Sequence, residues 1–137
     1  MYYAIAIDNT VLVALNEIGS EQSRATSKTM DEVQQILNYL VSNPNATIRY
    51  HASGMILFIH SDASYLSVTK ARSTASGLFF LSDTKTDAIT FSEYTPILNG
   101  FISIMCKILR NIMASTAEAE YVALFFNGQA AVPIQTT

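Results

Sequence analysis

Cysteine is nearly absent from this chain of 137 residues: Cys106 is the only one, so no internal disulfide can form. With no Cys/His cluster around it, Cys106 reads as a small buried hydrophobe and not as a nucleophile or a zinc ligand. Histidine is almost as scarce, and His51 and His60 stand nine positions apart, which is not a ligand spacing. Charge is sparse too, at 14% of residues, with eleven acids against eight bases and a net charge of −3, so the surface as a whole is not an electropositive footprint for nucleic acid. No apolar run, such as Met55 to Ile59, approaches the roughly 18 residues that span a bilayer. No membrane partner is expected. The N-terminus lacks a basic region and reaches an acid at Asp8, which argues against a secretory signal and for an intracellular protein of the cytoplasm or nucleus. No repeat, low-complexity tract or glycine-rich phosphate loop occurs.

Half of the residues are hydrophobic, enough for one ordinary domain and too many for a disordered chain. The first part, residues 1–43, reads as a helical hairpin. Ile5, Ile7, Val11, Leu12, Leu15 and Ile18 recur mostly at helical spacing over residues 3–18, with Asn9-Thr10 as an alternative start. Residues 19–27 are polar, begin with a glycine and read as a loop. A second helix follows, opened by a capping box at Thr29 and Glu32 and carrying Val33, Ile36, Leu37, Leu40 and Val41 on one stripe.

The pattern changes after Pro44, so residues 44–137 are taken as a second unit, giving an α/β chain. Residues 48–50, 55–60 and 78–81 read as strands, and a further strand lies either at 88–94 or at 101–109. Ser115 and Glu118 form a second capping box, before a helix that is apolar nearly all round and is expected to pack into a core until Pro133 kinks or ends it. The pairs Phe79-Phe80 and Phe125-Phe126 are assigned to that core.

Two carboxylates stand out by position. Asp62 comes just after a strand run buried on both sides, where α/β sheets place functional groups, although a strand-end turn former explains it as well. Glu120 lies one turn inside an apolar helix, where an acid needs a partner or a metal unless it is simply a partly exposed charge. Glu118 is already used as a cap. Lys70, Arg72, Lys107 and Arg110 are either phosphate contacts or a solvated surface, and Tyr65 either stacks on a base or belongs to the core rim.

Three strings together resemble the ribonuclease H domain of copia-type retrotransposon polyproteins: Ile59-His-Ser-Asp62-Ala-Ser-Tyr65, Ala71-Arg-Ser-Thr-Ala-Ser-Gly77-Leu-Phe-Phe-Leu81, and Ala114-Ser-Thr-Ala-Glu-Ala-Glu120-Tyr-Val-Ala-Leu124. The likeness covers about residues 47–137. A looser one, carried by Val33-Gln-Gln-Ile-Leu-Asn-Tyr-Leu40, relates residues 1–43 to the segment that connects reverse transcriptase to ribonuclease H. The resemblance implies an incomplete ribonuclease H-like fold, with a three-stranded antiparallel meander and one long helix. It implies cleavage of the RNA strand of an RNA–DNA hybrid by Mg²⁺ or Mn²⁺ held on carboxylates, hard oxygen ligands that suit such ions. Asp62 and Glu120 are the catalytic and metal-binding residues it assigns. The family has a third and a fourth acidic residue further along, whereas no Asp or Glu follows Glu120 here. The expectation is therefore a truncated module, impaired as an enzyme. The alternative is a non-catalytic remnant acting as an interaction or scaffold module, homodimeric through an open sheet edge.

Overall fold

A buried acid breaks the first apolar stretch. Asp8 accepts hydrogen bonds from the Thr10 amide (3.0 Å) and the Thr10 hydroxyl (2.5 Å), capping a short 3-10 turn. The expected single helix is therefore two, α1 (Tyr2–Ala6) and α2 (Leu12–Glu21). In the structure, a computed structural model that describes every residue except Met1, Thr69, residues 84–95 and Thr137, α2 runs through Gly19 and passes into another 3-10 turn at Gln22–Arg24. Only Ala25 and Thr26 of the expected loop stay outside a helix. Helix α3 (Ser27–Ser42) starts earlier than expected, because the capping box is made by Thr26 and Thr29. Glu32 instead pairs with Lys28 at 3.4 Å on the surface. A groove between α2 and α3 is lined by Val11, Ile18, Ile36 and Tyr39, and Thr10 meets Tyr39 hydroxyl to hydroxyl at 3.0 Å.

The chain divides into two compact units, Met1–Ile48 and Arg49–Thr137, a boundary a few residues beyond the change of pattern at Pro44. Residues 48–50 form no strand. They are followed by a segment that Asn99 ties to the sheet: its amide group donates to the carbonyls of His51 (2.9 Å) and Leu81 (2.7 Å), while its oxygen accepts from the amides of His51 and Gly100 (both 2.8 Å). Gly100 is needed there, since a Cβ would lie 2.6 Å from the Arg49 carbonyl oxygen.

The second unit is a three-stranded antiparallel sheet in the order β1-β2-β3, built from β1 (Ile56–Val68), β2 (Arg72–Ser82) and β3 (Phe101–Ile108), followed by a long helix, α4 (Thr116–Gln135). Of the two sites weighed for the last strand, 101–108 is a strand and 88–94 lies outside the described residues. Strand β1 extends eight residues past His60, with Asp62 paired to Ser76, so Asp62 is inside a strand and not at its end. At the hairpin, Lys70 and Ala71 adopt left-handed backbone (φ 66° and 52°), a conformation that costs a non-glycine residue about 1–2 kcal/mol.

Helix α4 does not pack all round. Its buried positions are Ala119, Ala123, Asn127 and Ala131, a stripe of small residues four apart, while Tyr121, Leu124, Phe125 and Val132 are exposed. Phe125 is thus not core, whereas Phe79 and Phe80 are completely buried. The helix runs past Pro133 to Gln135, a position near enough to the end that only the last turn loses a donor. Small side chains let the helix backbone approach the sheet, and Gly77 completes the fit. A Cβ on Gly77 would lie 1.8 Å from the Asn127 Oδ1 atom. Gly77→Ala is accordingly expected to cost about 3 kcal/mol, at the upper end for an overpacked core, read as a lower urea midpoint. Gly77→Ala combined with Asn127→Ala should recover part of that loss, and a change below about 0.5 kcal/mol for Gly77→Ala alone would contradict this packing.

Candidate functional site

Glu120 is set by the start of α4. The Ser115 hydroxyl accepts from the Glu118 amide (3.1 Å), and the Glu118 carboxylate accepts from the Ala114 amide (2.5 Å), so Glu118 closes the helix start much as expected, one residue further back than a standard box. Glu120, two positions on, stays exposed and lines a shallow depression with Ser61, Ala117, Tyr121 and Leu124.

Asp62 is set by the alternation of β1. Side chains along a strand point to opposite faces in turn. Ala63 and Tyr65 pack against the cluster containing Ala119 and Ala123, and the Ser61 hydroxyl accepts from the Asn127 amide group at 2.8 Å. The odd-numbered residues therefore face α4. Asp62 belongs to the other set, with His60 and Ser64, on the face away from the helix. It is exposed, and its main-chain oxygen accepts from the Ser76 hydroxyl at 3.3 Å. Across the strands its row continues through Ser76 to Cys106. Cys106 itself is half-buried, in keeping with a small hydrophobe.

Glu120 thus has Ser61 for a neighbour on β1, and the sheet separates it from the carboxylate of Asp62. A divalent ion shared by these two carboxylates needs both on one face. Among the described residues, no three His, Cys, Asp or Glu side chains converge on a common point either. The residues as placed do not fit the shared ion that the family resemblance implies.

No family model, curated protein or solved structure matches this chain.

Two features escaped the sequence reading. Asn127 is 1% exposed and donates to both Ser61 Oγ and the Ser76 carbonyl (2.8 Å each), while its Oδ1 atom has no partner among the described residues. The signal was present: Asn127 lies two turns past Glu120 in the same apolar helix, and a polar group there calls for the same explanation. The other feature is a cleft beside β3 where Lys107 and Arg110, read earlier as phosphate contacts or solvated charges, meet Phe126. Tyr65 takes the rim position, half-buried against the helix cluster.

Proposed function

We propose that this chain is a ribonuclease H-related module of the copia retroelement type, whose reaction is hydrolysis of the RNA strand of an RNA–DNA hybrid. The observation that carries the reading is the order of elements: an antiparallel meander β1-β2-β3 and then a long capped helix, with the three family-like strings on β1, on β2 and at the start of α4. Asp62 and Glu120 are its two acidic positions. They lie on opposite sides of the sheet, so the module is an impaired nuclease in this form. Incubated with a labelled RNA–DNA hybrid in Mg²⁺ or Mn²⁺, the purified chain should give no more product than its Asp62→Asn variant. Clear cutting that Asp62→Asn abolishes would contradict the impairment. Equal affinity for the hybrid and for double-stranded DNA of the same sequence would count against a hybrid-directed module.

A second reading, an interaction module, is favoured by the edge of β1. This strand, the longest at 13 residues, is bonded to β2 alone among the described strands, and unpaired edges recruit other chains. Beside it lie the exposed Tyr121 and Leu124. The partner proposed is a second copy, paired edge to edge about a two-fold axis. Light scattering should then give a dimeric mass as concentration rises, and a strictly monomeric mass at high concentration would rule the dimer out.

A further inference from the structure

We infer that the cleft between the end of β3 and the middle of α4 binds a small apolar anion. The pairing of Thr74 with Ile108 brings the start of β2 beside the end of β3, so Lys70, Arg72, Lys107 and Arg110 gather at one end of the sheet. In a chain of net charge −3, that is a concentration of positive charge. The cleft opens at this end, with a volume of about 490 Å³, within the usual range for small-molecule sites. Its floor is apolar: Leu109 and Met113 are nearly fully buried, and Val122 and Phe126 form the helix wall. Its rim carries Lys107, Arg110 and the amide of Asn111.

The charges at the rim are not spent on carboxylates. Among the described residues, neither Lys107 nor Arg110 has an acid within ion-pair distance, and the Lys107 ammonium rests 4.0 Å above the centre of the Phe126 ring. Glu118, at the start of the same helix, is held by the Ala114 amide. An apolar floor with two available cations at its rim matches a ligand that has an aromatic or aliphatic body and one anionic head, such as a carboxylate or sulfonate. The body would cover Val122 and Met113, and the head would take charge-assisted hydrogen bonds from Arg110 and Lys107. A bare inorganic anion would leave the floor wet, and a neutral ring would leave the cations unused.

The test uses the full chain and naphthalene-1-sulfonate, followed by amide NMR shifts and calorimetry, with neutral 1-naphthalenemethanol, inorganic phosphate and a short RNA–DNA hybrid as comparison ligands. The proposal expects shifts concentrated on residues 107–113 and around Val122 and Phe126. It also expects affinity to fall about tenfold or more in Lys107→Ala/Arg110→Ala, as for the loss of charged hydrogen bonds, and to be unchanged in Lys28→Ala. Both rim residues are exposed, so the double variant should keep its fold, which its remaining spectrum verifies. Shifts centred instead on Tyr121, Leu124 and Phe125, or equal affinity in the double variant, would overturn the proposal. So would phosphate or the neutral alcohol binding as tightly as the sulfonate, or the hybrid displacing it at lower concentration, which would make this end of the sheet a nucleic-acid contact.

Discussion

The structure of the second unit depends on one buried amide. Asn127 projects from α4 onto the sheet, bridges β1 and β2 through Ser61 and the Ser76 carbonyl, and rests against the bare backbone of Gly77. A buried polar group is costly unless it is bonded, about 1–3 kcal/mol for one left unsatisfied, so the two donated bonds dictate where the helix can lie. The unpartnered Oδ1 atom is the cost of that arrangement. Helix distance follows from Ala119, Ala123 and Ala131 on the same stripe, since larger side chains there would lift the amide out of reach.

That anchor also settles which residues of β1 face the helix. A strand moved by one residue exchanges its two faces entirely. With Ser61 held by Asn127, Ala63 and Tyr65 turn inward and Asp62 turns out. The separation of Asp62 from Glu120 is thus a consequence of packing, and the same packing leaves α4 with an apolar outer side and β3 with a cleft whose rim is cationic. Function in this unit is governed by what the helix covers and what it leaves open.

Much of this was legible in the chain. The cap at Ser115 rests on local rules that do not need the rest of the molecule, and the runs at 55–60 and 78–81 were legible as strand because turn residues bound them. The run at 48–50 forms no strand, and the stripe expected on α3 is only partly covered, with Leu37 and Val41 exposed. Boundaries were less legible. α3 starts earlier, with Thr26 as its cap, because two threonines three apart can cap reciprocally, as a threonine and a glutamate can. β1 continued past His60 because Ser61, Asp62, Ala63 and Ser64 find partners on β2, a tertiary fact. The apolar character of α4 suggested burial on every side, but a helix against a three-stranded sheet can cover only one stripe, so Phe125 stays in solvent. Asp62 and Glu120 were singled out one at a time by their surroundings, and whether two such residues meet depends on strand parity, which the sequence carries only through Asn127 and Gly77.

The most direct test of this account is a pair of double-mutant cycles on stability, each read by urea denaturation. Ser61→Ala and Asn127→Ala should couple by about 1 kcal/mol, the size of a hydrogen bond between the two sites. Asp62→Ala and Asn127→Ala should add within about 0.3–0.5 kcal/mol, as independent sites do. Coupling of Asn127 to Asp62 and not to Ser61 would place Asp62 on the helix side with Glu120, and would contradict the account at its centre.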